Sequence, residues 1–201
     1  FHEVTDAELS MVVTDTSAAR MRVLNHRTAP DCPLVWAVRM SMNLPFVWPD
    51  IHWEQSWGMY LGGKLTGNVM LDGGILSGFP LELFVSNEPF VQALMGKASG
   101  NPLLGLLIDE TLRVSNDPYQ GVAPPPSGLD LTSLRAVERI TRLVNTMTSA
   151  RDTMVLEAFE ESVVRLPARG YGTIEFDMSD ARRDLLVESG RAAMARWLEK
   201  A

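Results

Sequence analysis

Short apolar runs dominate the first half of the chain, and helical spacings dominate the second. Leu9 to Val13 is apolar with β-branched residues and predicts a buried strand. Arg20 to Leu24 alternates charged and apolar positions, the pattern of an edge or half-buried strand. Between them Thr14-Asp15-Thr16-Ser17 predicts a turn. Asp15 is structural there, because the flanking hydroxyls favour local backbone bonds. Leu34 to Met42 predicts a short helix with Leu34, Val35, Val38 and Met42 on one side, ended by Pro45. Val69 to Leu71 is too short for a helix and stops at Gly73-Gly74, so it predicts a buried strand. Leu81 to Val85 and Pro89 to Met95 read as short helices, and Leu103 to Ile108 as another strand.

Ser115 to Gly128 predicts a loop, which Pro124-Pro125-Pro126 stiffens into an extended connector. Beyond Asp130, Leu131, Leu134, Val137, Ile140 and Met147 recur at three or four and predict a helix. A second helix carries Val155, Ala158, Phe159 and Val163. Arg165 to Tyr171 reads as a loop and Thr173 to Phe176 as a strand-like piece. The last helix runs from about Asp180 to Leu198, with Leu185, Leu186, Ser189, Ala193 and Trp197 on one face. Ser179 or Asp180 is its N-cap. The fold class is α/β, in a single domain spanning 1–201: a sheet part over 1–114, a Pro/Gly-rich loop over 115–129 and a helical part over 130–201.

Composition narrows the function. The 201 residues are 46% apolar, enough chain for a sizeable core. A formal net charge of −7 argues against a sequence-independent nucleic-acid binder, which needs a basic face. Cys32 is the single cysteine, so no internal disulfide forms, which fits a reducing compartment. No run of 18 apolar residues spans a membrane, and no signal peptide is visible. The chain starts at Phe1 without a Met, and we expect it to be the C-terminal part of a longer or cleaved polypeptide. His2, His26 and His52 lie far apart and no His-x-x-x-His or Cys-x-x-Cys occurs, so no metal site is expected.

Candidate chemistry centres on Asp72. It sits where the Val69–Leu71 strand stops, the edge at which open α/β sheets bind ligands. Gly73 and Gly74 lack a Cβ and allow close approach to the carboxylate, and Pro80 suits the first turn of a helix near Leu81. The competing reading is an ordinary Asp-Gly turn. Phe46 to Tyr60 is rich in aromatic residues. Trp48, Trp53 and Trp57 suit the mouth of a lipid site or a membrane surface, or else core packing. His52 reads as a packing residue. Arg39 is a candidate substrate contact, or else a solvated or ion-paired arginine. Gly58 to Leu65 has the glycine-to-lysine spacing of a phosphate loop, but Leu65 replaces the hydroxyl residue and no strand precedes it.

Three stretches in order resemble one family. Asp72-Gly73-Gly74-Ile75-Leu76-Ser77-Gly78-Phe79-Pro80 resembles the Asp-Gly-Gly segment of the patatin-like phospholipases. Ala37 to Phe46 is similar to that family's Ala-x-Arg-x-Ser-x-x-x-Pro-x-Phe. Gly172 to Asp177 resembles the segment before the last helix of many bacterial members. The resemblance implies a three-layer α/β/α fold and a lipid acyl hydrolase of phospholipase or esterase type. Its Ser–Asp dyad would use Asp72 as base, with Gly73, Gly74 and Pro80 supporting the motif. No cofactor is implied. The partners would be a lipid or small acyl ester, a membrane surface touched transiently, and an upstream segment bearing the serine. A cytoplasmic location, peripheral to a membrane, is expected, with secretion left open. Gly78 stands where the family has Asn. No Gly-x-Ser-x-Gly elbow surrounds Ser41, Ser56, Ser77, Ser99 or Ser189, and the glycine-rich oxyanion loop is missing, so this chain alone is expected to be inactive. Two alternatives stay open: a non-catalytic lipid- or protein-binding module on the same fold, and an acyltransferase of related fold.

Overall fold

The computed structural model describes residues 1–97, 100, 102–118, 156–172 and 175–200. It is a mixed α/β structure in two compact units, residues up to 100 forming the first and those from 102 onward the second. The expected triple-proline connector, the helix carrying Leu131 to Met147 and the start of the next one at Val155 lie outside the described residues, as do residues 173 and 174.

The first unit is built on a four-stranded sheet. Its strands are β1 (Met11–Asp15), β2 (Arg20–Leu24), β3 (Ile51–His52) and β4 (Val69–Asp72), in the order β2-β1-β4-β3 with every neighbour antiparallel. The register sets Val12 opposite Val23, Val13 opposite Asp72 and Ile51 opposite Met70. Since successive side chains alternate faces, β1 and β2 feed two cores, while β3 and β4 add to one of them. On one face Val13, Leu24 and Met70 pack with Ala37 and Met40 of helix α2 (Leu34–Ser41) and with Trp53, Trp57 and Tyr60. On the other, Val12 and Val23 pack with Leu83 of α3 (Glu82–Val85) and with Val91 and Leu94 of α4 (Pro89–Met95). A short helix α1 (His2–Thr5) precedes the sheet.

Two details depart from expectation. β1 begins two residues late and extends through Thr14 and Asp15, because it pairs on both sides and Asp15 is neutralised within the sheet. Helix α2 forms, but its buried residues are Ala37 and Met40, while Leu34, Val35, Val38 and Met42 are 41%, 70%, 45% and 49% exposed. Nearly every residue of this helix is apolar, so spacing could not choose the face. The helix turns its small residue, Ala37, toward the sheet, which permits a close approach to β1 and β4.

In the second unit β5 (Gly105–Arg113) and β6 (Val163–Arg169) form a parallel pair, and helix α5 (Asp180–Leu198) packs on β6. The segment read as a loop from Arg165 is therefore a strand, and Val163 belongs to it, not to a helix. Pro167 and two arginines hid the pattern. A proline is tolerated because, among the described residues, β6 pairs with β5 alone, so its missing N–H removes no ladder bond on the other side. Ser179 caps α5, its hydroxyl accepting from the Arg182 N–H. Arg182 is buried on that helix. Its guanidinium pairs with Glu175 at 2.9 Å, donates to the Gly170 carbonyl and lies 4.3 Å from the Tyr171 ring centroid. No helix among the described residues is long and apolar enough to cross a membrane.

Candidate functional site

Asp72 ends β4, and its backbone is held from both sides. Its N–H donates to the Asn43 carbonyl at 3.0 Å, and its carbonyl accepts from the Thr14 hydroxyl at 2.8 Å. Directly after it Gly73–Ile75 winds into a single 3₁₀ turn. This turn passes against β1 so closely that a Cβ on Gly73 would lie 2.5 Å from the Val12 carbonyl oxygen and 2.7 Å from its carbon. Only glycine fits there, for lack of space and not for any unusual φ.

The turn also fixes the carboxylate. Oδ1 accepts the Gly74 N–H at 2.6 Å. Among the described residues Oδ2 takes no hydrogen-bond partner. Burial pushes the proton affinity of Asp72 above that of an ordinary carboxylate, and the Gly74 N–H offsets only part of this rise. The result is an oriented, partly desolvated carboxylate with one oxygen committed and one open. Chemically it can accept a proton or a hydrogen bond from a donor brought to Oδ2.

Among the described residues Arg39 has no ion-pair partner, and it is half-buried. It donates to the Asn43 side-chain oxygen at 3.1 Å and lies 4.9 Å from the ring centroid of Trp48, which is half-buried. Asn43 is fully buried and also donates to the Met70 carbonyl. Arg39 and Trp48 therefore connect to Asp72 through Asn43, one residue removed from the carboxylate. Pro80 precedes α3 by two residues, with Leu81 at the N-cap, so it stands just outside the helix and not in its first turn.

Trp53 and Trp57 do not join this group. They are 1% and 3% exposed, packed edge to face in the core, and the Trp53 indole N–H donates to the Gly58 carbonyl. A membrane contact by these two rings is corrected to core packing, because the segment folds inward against α2 and the sheet. Asp15, on the strand beside Asp72, is consumed. It is 0% exposed and accepts from Arg22, Asn68 and the Ala18 N–H. His52 contacts the Gly67 carbonyl, and His2 stacks on His26. Among the described residues no three His, Cys, Asp or Glu side chains converge as a metal site would require.

Sequence reasoning missed Asn43 and Thr14, the two residues that clamp Asp72. The one available signal for Asn43 was a polar residue between a helical run and Leu44-Pro45. Thr14 looked like part of a turn.

The chain matches no protein-family model, and no solved structure matches it. It is 24% identical over 208 residues to the uncharacterized protein YqhO of Bacillus subtilis (strain 168), in an alignment that takes in 100% of this chain. The chain spans 60% of that relative's length.

Proposed function

We propose that this chain supplies the base of a serine–aspartate dyad in a lipid acyl-ester hydrolase of the patatin-like kind, within a three-layer α/β/α domain. The observation that carries the proposal is the Asp72 carboxylate: clamped at a strand end, partly desolvated, with Oδ1 held by Gly74 and Oδ2 open. A free carboxylate is a weak base, and burial moves it in the direction general-base work demands. In this reading a serine hydroxyl on polypeptide outside this chain gives its proton to Oδ2 as its oxygen attacks the ester carbonyl. The oxyanion is held by backbone N–H groups outside this chain. The alcohol leaves with the proton returned from Asp72, and water then releases the acyl group by the same route. The enzyme would act in the cytoplasm at a membrane surface.

The test joins this chain to the upstream polypeptide of its own gene product. The joined protein should hydrolyse a short-chain acyl ester while this chain alone does not, and Asp72→Asn should abolish turnover with the fold intact by circular dichroism. Full turnover in Asp72→Asn ends the dyad proposal. A second reading rests on the Oδ1–Gly74 bond, which an Asp-Gly turn needs with no chemistry attached, and on Gly78 in place of Asn. It makes the chain a non-catalytic lipid- or protein-binding module, and the joined protein would then bind lipid without hydrolysing it. If the joined protein passes the acyl group to an added alcohol faster than to water, the related acyltransferase reading holds.

A further inference from the structure

Two like charges face each other in the second unit without visible compensation. Arg113 on β5 and Arg169 on β6 are register partners in a parallel ladder, so their side chains leave the same face from strands about 4.8 Å apart. Like charges placed directly opposite cost stability. Both side chains are exposed, and among the described residues neither guanidinium has a carboxylate or hydrogen-bond partner. The contrast on the same strand is Arg165, whose Nε lies 2.8 Å from an Asp109 carboxylate oxygen.

Together with Val114 and Asp117, the pair lines a cavity of about 70 Å³. That admits a tetrahedral ion and leaves the rest of a monoester outside the notch. Val114 is buried and forms an apolar wall. Among the described residues Asp117 is the one acidic group in the lining, and its charge is answered by a buried arginine. It lies 4.0 Å from the buried Arg182 guanidinium. In a chain of net charge −7 this is a local cationic notch.

We propose that Arg113 and Arg169 form a binding site for a phosphoryl group carrying two negative charges, such as inorganic phosphate or a phosphate monoester. Two planar guanidinium forks suit the oxygens of such a group, and its two charges at neutral pH match the two cations. The anion converts a repulsive pair into a bridged one. The site stands independently of Asp72.

The full chain is titrated with inorganic phosphate at constant ionic strength, against matched chloride, by thermal melting and calorimetry. The expected result is a saturable rise in melting temperature, with binding at least about tenfold weaker in Arg113→Gln and in Arg169→Gln. Without phosphate either variant should melt no lower than the parent, since the repulsion is gone. An equal response in parent and variants, or no saturable response in the parent, overturns the proposal. If a glutamine variant fails to fold, Arg113→Met or Arg169→Met, which keeps the unbranched stem, is read in the same way. Glycerol 3-phosphate and vesicles containing phosphatidic acid, each set against phosphatidylcholine vesicles, separate a soluble ligand from a lipid head group. Binding to the first alone assigns a soluble phosphate, and binding to phosphatidic acid vesicles that the Arg variants lose assigns a head group. Equal binding to all vesicles counts against the site.

Discussion

Replacing Gly73 by alanine isolates the contact on which the geometry of Asp72 depends. The added methyl would lie 2.5 Å from the Val12 carbonyl oxygen, about 0.9 Å inside the 3.4 Å of an ordinary close contact, and 2.8 Å from the Val12 Cγ1. Neither neighbour can yield cheaply. Val12 belongs to β1, which is paired with β2 on one side and β4 on the other. Gly73 is tethered through Asp72 to Asn43 and Thr14. Overpacking of this kind costs about 1–3 kcal/mol, and a rigid backbone neighbour puts it at the upper end. Alanine also restricts the unfolded chain, which returns about 0.4–1 kcal/mol. The net expectation is a loss of about 2 kcal/mol, or roughly 4–8 °C in melting temperature at this size. Gly190→Ala is the control. It lies inside α5, and an added Cβ there meets nothing within 4 Å, so a gain of about 0.5–1 kcal/mol is expected. Urea unfolding of both variants against the parent, followed by circular dichroism, measures the difference. A Gly73→Ala protein as stable as the parent would refute the close-approach argument and with it the claim that this turn fixes the carboxylate.

Asp72 and Asp109 should contribute to pH dependence with opposite signs. Burial raises Asp72, so the native state holds its proton more tightly than the unfolded chain does; its contribution falls as pH rises from the ordinary value of 3.8 through the higher folded value. Asp72→Asn removes that fall, and unchanged pH profiles of urea midpoints would contradict the assignment. For Asp109, burial alone would raise the carboxyl, but bonds from the Thr111 hydroxyl and N–H, with the Arg165 charge, hold it below the ordinary value. Its stabilisation is present above pH 3.8 and is lost as pH falls through the lowered value, a loss that Asp109→Asn should abolish. Trp53→Ala should cost about 3–5 kcal/mol as a large-to-small change in a closed core, read by thermal melting, and a loss under about 1 kcal/mol would return the ring to the surface. Asn43→Ala removes a buried amide that bonds Met70 and Arg39, and should cost about 1–3 kcal/mol by chemical denaturation while loosening Arg39 from Trp48.

The legible parts of the fold were those where one interaction dominates. Val69–Leu71 is short, apolar and stopped by two glycines, and it is a strand for those reasons. Ser179 caps α5 because a hydroxyl before a helical run has few better uses. The illegible parts were those decided by neighbours distant in the chain. Arg165 and Arg169 look like loop residues until β5 arrives beside them in parallel register. Trp53 and Trp57 carry the same side chains whether they meet lipid or Met40, and only the path of the backbone decides. In α2, nearly all the residues are apolar or small enough to bury, so a period existed on every side and the sheet made the choice.

The same limit bears on the two aspartates of the central strand pair. Asp15 and Asp72 sit on neighbouring strands, each at a strand end, each succeeded by turn-forming residues. Sequence alone ranks them by their immediate successors, hydroxyls after Asp15 and glycines after Asp72. The structure supplies the physical distinction. Asp15 is 0% exposed and both its oxygens are taken, by a guanidinium, an amide and a backbone N–H, so a further donor has nowhere to bind. Asp72 has its backbone clamped at both N–H and C=O, yet among the described residues its side chain spends one oxygen on the fold. A carboxylate held this firmly at modest cost to its acceptor capacity is oriented toward whatever reaches Oδ2. That asymmetry would separate a working base from a structural one: exchanging the environments, by Asn68→Ala beside Asp15, should lower stability without creating a second proton acceptor, while Asp72→Asn should leave the sheet intact and remove the acceptor.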